Sequence, residues 1–344
     1  MIRFAVIGFL SFFFIYSPTQ NLWAKPSHVF KIASLAPEGS VWVEAFKEFA
    51  AEVSEKTGGE VGFRIYPGGI MGDDRAMYRK MRVGQLQGGG FTMTGIGDIV
   101  SDFRVMGIPF LFRSYDEVDL ISAHLQPAFR ERFAEQGLHF VAMTEVGFVY
   151  TFSDKPRLTI KDLQQAKTWA PSDDPLTAEF LKSLDISPIA LSIPDVLPSL
   201  QTGLIDTAFN SLYGAIVLQW FTKTRAVTDT PYGYAYGAFI LSSKAFAGLS
   251  PEQQDIIDQA AQSHFLELIK KTRQSNEDSK DVLLSKGISF VPASAGVIEE
   301  LIKHRDLTIK SLAGKAFSAE IYQSLDKALT SYRNSPTDAA GQAN

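Results

Sequence analysis

Apolar positions along this chain recur in two alternating fashions: helical steps of three and four residues, and short runs or every-second-residue patterns. A first strand is expected at Val29–Ser34. The segment Pro37–Lys56 then carries Trp42, Ala45, Phe46, Phe49 and Val53 at helical spacing and stops at Gly58-Gly59. Val61–Tyr66 alternates as a strand does. The loop Pro67–Gly72 delivers Asp73 and Asp74 to the start of another helix, where carboxylates suit the positive end of the helix dipole. Strands at Gly88–Thr94 and Leu138–Thr144 flank a helix over Tyr115–Glu135, which completes one αβ lobe. Glu145–Phe148 carries the chain into a second lobe.

The second lobe opens with a strand at Val149–Ser153, followed by a helix at Pro175–Leu184 and a strand at Ser187–Leu191. The stretch Ile193–Asn210 is its centre. A helix from about Pro194 ends at Gly203, the residue that best tolerates a left-handed helix cap, and Leu204–Phe209 reads as a buried strand. Asn210 therefore falls at the carboxyl end of a strand, where open α/β sheets place ligands. A helix at Ser211–Phe221 and an apolar strand at Tyr234–Ser242 follow.

Pro251–Lys286 has no Gly, and no Pro beyond its first residue, which allows one helix about 50 Å long. Two shorter helices with a break around Gln274–Asp278 are the alternative. A strand at Ile288–Val291, helices at Ala295–Leu312 and Ala319–Tyr332, and a polar tail at Ser335–Asn344 that is expected to lack order end the chain.

With 344 residues, 45% apolar and 21% charged, there is enough chain for two modest cores. A net charge of −5 and the lack of any Lys/Arg-dense stretch argue against nucleic-acid binding. Small-molecule or protein partners suit it better. Arg3 followed by apolar Phe4–Tyr16 and Leu22-Trp23-Ala24 has the form of a secretory leader over residues 1–24, cleaved near Lys25. Its apolar core falls short of the roughly 20 residues that span a bilayer. The chain has no Cys, which excludes disulfides, thiolate catalysis and cysteine-bound zinc.

Catalytic signatures are absent from the sequence. His28, His124, His139, His264 and His304 lack metal-ligand spacing, and neither a G-x-S-x-G elbow nor a P-loop occurs. Gly95-Ile96-Gly97 lacks the third glycine of a dinucleotide fingerprint, and Asp98 follows it. Asp73/Asp74 and Asp173/Asp174 precede helices, where capping accounts for them. No cofactor is indicated.

Several motifs, in order, resemble one family. They are Gly68 through Arg75-Ala76-Met77, Ile108-Pro109-Phe110-Leu111-Phe112, Glu145-Val146-Gly147-Phe148, the LTIKDLQQAK segment, and LQTGLIDTAFN ending at Asn210. Together they are similar to the DctP family, the extracytoplasmic substrate-binding subunits of TRAP transporters, over about Phe30 to Ser289. The resemblance implies an α/β, two-lobed, type II-like periplasmic binding protein with a long helix spanning both lobes. It divides the chain into lobe I (25–147 and 236–275) and lobe II (148–235 and 276–334). It also implies a small-molecule ligand, membrane permease subunits as partners, a periplasmic location, and no enzymatic activity.

By position in the family motifs, Phe91, Thr92, Val149, Trp169, Ile193 and Asn210 would line the cleft, with Tyr213 one helical turn beyond. The family's carboxylate-binding arginine sits in a K-I-R-x-P segment. Here Ala166-Lys167-Thr168-Trp169-Ala170-Pro171 puts Trp169 at that place, and Val149 stands where a second arginine often follows E-x-G-F. A dry cleft without a cation holds a carboxylate poorly, whereas an indole with an N–H at one edge suits a ring or an apolar body. This resembles a subset of TRAP receptors associated with a periplasmic tetratricopeptide-repeat protein and with apolar ligands. The alternatives are an acid receptor with a displaced arginine, such as Arg64, Arg75 or Arg104 and with Trp169 as core filler; a secreted enzyme on a two-lobe scaffold; and a sensor that reports to a kinase.

Overall fold

A computed structural model describes residues 26–172 and 174–335. The expected leader, Asp173 and the tail from residue 336 lie outside the described residues. β1 (His28–Ser34), α1 (Val41–Lys56), β2 (Val61–Tyr66), α2 (Asp74–Arg82), β3 (Gly88–Thr92) and the one-turn α3 (Met93–Ile96) come first. A 3-10 stretch, Ser101–Gly107, leads to α4 (Tyr115–Glu135) and β4 (Leu138–Ser153). Next are α5 (Ile160–Gln164), β5 (Trp169–Pro171), α6 (Pro175–Ser183), β6 (Ile189–Leu191), α7 (Ile193–Thr202), β7 (Thr207–Asn210) and α8 (Leu212–Val217). β8 (Ala226–Ser242) returns, followed by α9 (Ser243–Phe246), α10 (Pro251–Ser285), β9 (Ser289–Val291), α11 (Ala295–Leu312) and α12 (Ala319–Arg333).

β4 and β8 make one frame for two lobes. They run antiparallel over almost their whole lengths of 16 and 17 residues. The mixed sheet has the order β2-β1-β3-β8-β4-β7, with β9 beside β8. In the first lobe Gly237–Leu241 of β8 pair with β3; in the second, Tyr150–Ser153 of β4 pair with β7 and Ala226–Thr228 of β8 with β9. The sequence pattern suggests two strands separated at Glu145–Phe148, but these residues stay in the ladder. Register shifts between Glu145 and Gly147 and between Val149 and Thr151 bend it there. Gly147 has φ +108°, which a side chain would oppose.

The first lobe buries both faces of its sheet. Phe239 and Leu241 of β8 point toward α1 and α10, where Phe46, Phe49 and Phe265 meet Phe239 at ring separations of 4.9–5.4 Å. Ala238 and Ile240, on the other face, join Phe103, Phe129, Phe133 and Phe140. The second lobe packs Phe152, Phe180, Ile205, Trp220 and Leu283 together.

α10 is one unbroken helix of 35 residues, about 52 Å long, so the alternative break at Gln274–Asp278 does not occur. Ser250 and Gln253 form a capping box at its start. Phe265 and Leu268 pack in the first lobe and Leu283 in the second, so one rigid rod touches both. No described helix is long and apolar enough to cross a membrane.

Three details depart from the sequence pattern. α12, expected with lobe II, puts Ile321, Leu325 and Leu329 into the first lobe's core, and Arg333 holds the buried carboxylate of Glu117 at 2.7 Å. The apolar stripe of α12 matches α4, and a buried acid there needs a cation. β7 starts at Thr207 rather than Leu204, because Leu204 is half exposed in the turn after Gly203 (φ +71°). Finally, Asp73 caps α2 through the Ala76 N–H, but Asp74 does not cap: it turns inward and accepts from the Thr92 N–H and hydroxyl.

Candidate functional site

Where β4 and β8 pass between the lobes, the sheet leaves a cavity of about 190 Å³. A water needs some 10–15 Å³ on the same measure, so the space suits a molecule of roughly a dozen heavy atoms. Phe91, Thr92, Val149, Trp169, Ile193 and Asn210 all stand on its wall.

Trp169 begins β5, whose register with β6 places it opposite Ile189. The indole is 3% exposed, meets Trp220 edge to face at 5.3 Å, and donates its Nε1–H to the Leu191 carbonyl at 3.0 Å. It therefore both fills the second lobe's core and presents carbon to the cavity. The N–H expected to be available to a ligand is already bonded.

Asn210 ends β7. Its Oδ1 accepts from the Ser211 N–H at 2.8 Å, which orients the amide, and its Nδ2 has no partner among the described residues. A Cβ on Gly214 would lie 2.3 Å from that Oδ1, so the α8 glycine makes room for the amide. Thr92 is less free. Its hydroxyl donates to Asp74 at 2.8 Å and accepts from the Gly95 N–H as the cap of α3. Burial pushes the Asp74 carboxyl up to about 6 against the pull of those bonds.

Tyr213 is not on the cavity wall. Its hydroxyl accepts from the Val41 N–H at 3.0 Å, its ring lies 5.1 Å from Trp42, and its own N–H donates to Asn276 Oδ1. A second-lobe side chain thus bolts onto the start of α1 in the first.

The helical pattern hid Trp42, which lines the cavity and donates to the Glu145 carbonyl at 2.7 Å. Residues 232–237, YGYAYG, were also legible only in part. Their strict alternation of small and aromatic residues leaves a bare strip at Gly233, Ala235 and Gly237 along the cavity, which Tyr232, Tyr234 and Tyr236 also border with their hydroxyls held by polar partners. Tyr234 donates to Glu145 at 2.9 Å and Tyr232 shares a 3.1 Å bond with the Thr177 hydroxyl. A Cβ on Gly237 would lie 2.2 Å from the Phe91 carbonyl, but one on Gly233 would meet nothing within 4 Å.

No Lys, Arg or His lines this cavity among the described residues; Asp174 is the one carboxylate that does. Arg64 is exposed on β2. Arg75 pairs with Asp98 at 2.7 Å beside a separate crevice of about 30 Å³. Arg104 is buried against Asp98 and the Ala316 carbonyl. A strong ion network surrounds Glu145 of β4. There Arg273 of α10 holds Glu145 at 2.8 Å and Asp119 as well, with the guanidinium 4.2 Å from the Tyr115 ring centre.

Against known proteins, residues 32–313 match the family model described as DctP, bacterial extracellular solute-binding protein, family 7. The ectoine-binding periplasmic protein TeaA of Halomonas elongata is 24% identical over 249 residues, 70% of each chain. The sialic acid-binding periplasmic protein SiaP of Vibrio cholerae is 24% identical over 67% of this chain and 73% of its own. The solved sugar acid binding protein DctPAm of Advenella mimigardefordensis, in complex with galactonate, superposes with a TM-score of 0.83 at 20% identity. That match covers 89% of this chain and 99% of the other.

Proposed function

This chain belongs to the DctP family of TRAP solute receptors, and from that premise we propose that its cargo is a small, largely apolar or aromatic molecule rather than an organic acid. Family members are extracytoplasmic binding proteins, not enzymes, and hand small molecules to membrane permease subunits. The two-lobed fold with its interlobe cavity is that of the receptors. In this reading Phe91, Thr92, Val149, Trp169, Ile193 and Asn210 contact the ligand. The leader over residues 1–24 directs export to the periplasm, and a periplasmic tetratricopeptide-repeat protein is a further partner.

The observation that carries the apolar assignment is the cation-free wall: an indole stands at the family motif's arginine position, and among the described residues no Lys, Arg or His lines the cavity. A carboxylate sealed there loses several kcal/mol of hydration with nothing to replace it. A flat apolar body instead gains by covering the strip at Gly233–Gly237 between the rings of Trp42 and Trp169. Contacts with both lobes favour the closed arrangement, in which the Tyr213 hydroxyl already meets α1.

The test is recovery of the native cargo. Protein purified from its own host, denatured and extracted, is expected to release an apolar or aromatic compound by mass spectrometry. A dicarboxylate or a sialic-acid-like sugar at stoichiometric yield would refute the assignment.

A further inference from the structure

One end of the cavity is unlike the rest. Asp174, Thr177 and Tyr232 meet there beside Gly107 of the first lobe. Asp174 caps α6, with Oδ1 accepting from the Leu176 N–H at 3.1 Å and Oδ2 from the Thr177 N–H at 3.3 Å. Capping explains an oxygen at this place, but Ser, Thr or Asn would cap as well. A full carboxylate is the costlier choice, because Asp174 is 3% exposed and touches no cation among the described residues; burial raises its carboxyl above the usual range, against the pull of Thr177 and of the more distant Arg104. Each of its oxygens accepts one bond and has room for another. The Thr177 and Tyr232 hydroxyls share one proton bond at 3.1 Å, which leaves further acceptor capacity at the same end. The Asn210 amide nitrogen, a wall donor with no hydrogen-bond partner among the described residues, belongs to a different element.

We propose that Asp174 selects the head group of the cargo: the ligand presents a hydrogen-bond donor, an alcohol, amide or amine, to the Asp174–Thr177–Tyr232 end, and anions are turned away there. This rests on the apolar-cavity reading above and narrows it. The wall is not merely short of cations for a carboxylate. It also places carboxylate oxygens where an anionic head would lodge, and like charges brought together in a dry site repel.

Three probes sharing one ring separate the possibilities: phenethyl alcohol, phenethylamine and phenylacetate. Binding to the ligand-stripped protein is read from tryptophan fluorescence, since Trp42, Trp169 and Trp220 all line the cavity. The alcohol and the amine are expected to bind, and phenylacetate to bind about a hundred-fold more weakly than the amine. Asp174→Asn keeps a helix cap, so the fold should persist by circular dichroism, and it should shrink that gap to within a few-fold. Gly233→Leu fills open space without backbone strain and should abolish binding of all three.

Phenylacetate binding as well as the alcohol, or an amine-to-acid ratio unchanged in Asp174→Asn, would overturn the role of Asp174 while leaving the apolar cavity intact. Failure of all three probes to bind the wild type, or binding that Gly233→Leu leaves unchanged, would bring down the apolar reading and this inference with it.

Discussion

The two faces of β4 at the lobe crossing make a sharp contrast. On one, Thr144 and Val149 look into the cavity, where among the described residues no cation lines the wall and the one carboxylate, Asp174, touches none. On the other, Glu145 is buried among Arg273, Tyr234 and, through Arg273, Asp119. Successive residues of a strand point to opposite faces, so a single residue step separates the two environments. Charge in this molecule is spent on joining α10 to the crossing strands, and the cargo side is left to shape and a few polar atoms. A buried acid with a guanidinium partner is tolerable; one without a partner must be held by hydrogen bonds alone and titrates accordingly.

The comparison is broken most severely from the ion-paired face. Arg273→Met would leave Glu145 buried without its cation and should destabilise the protein by about 3–5 kcal/mol at neutral pH in urea unfolding. Burial already raises the Glu145 carboxyl above its usual range, with the Arg273 bonds opposing that rise. In the variant the carboxyl should rise further. Protonation then relieves the folded state, so the loss should be smaller at pH 5 than at pH 8. Equal losses at both would mean that Glu145 does not carry the effect.

Asp74, buried without an ion pair among the described residues and held by Thr92, supplies the next largest effect. Its folded value of about 6 lies above the unfolded 3.8, so the proton is bound more tightly in the fold. Stability should fall as pH rises from about 4 to about 6 and level off above that. The total loss is about 3 kcal/mol if no other group compensates. Asp74→Asn should flatten that slope in thermal melts across the same range, and a slope unchanged by the substitution would assign it to other groups.

Tyr213→Phe should have the smallest effect. It removes the acceptor for the Val41 N–H but keeps the ring against Trp42. A single neutral hydrogen bond contributes about 1 kcal/mol, so ligand release should quicken about five-fold by stopped-flow fluorescence while the unfolding midpoint barely moves. An unchanged release rate would show that the hydroxyl plays no part in closure.

Local pattern determined much of this protein. Ser250, Pro251 and the uninterrupted run behind them specify α10; Gly203 ends α7 in the left-handed conformation; and Asn210 comes at the carboxyl end of a short strand. Trp169 at the motif position of an arginine is legible in the linear sequence, and the same motifs point to Phe91, Val149 and Ile193. These features depend on neighbours in the chain or on an ordered set of motifs, both of which a linear reading can follow.

Only the tertiary structure decided the rest. Gly147 looks like a break between strands, yet the ladder to β8 runs through it. The Trp169 N–H finds Leu191, the Tyr213 hydroxyl finds Val41, and α12 leaves the second lobe for α4. Asp174 has the sequence position of a helix cap, and only the fold buries it on the cavity wall. In each case a polar or apolar group meets a partner that folding brings from elsewhere, and its chemistry depends on that partner and on how much water remains. Periodicity reports whether a face is buried, but it does not report what it is buried against.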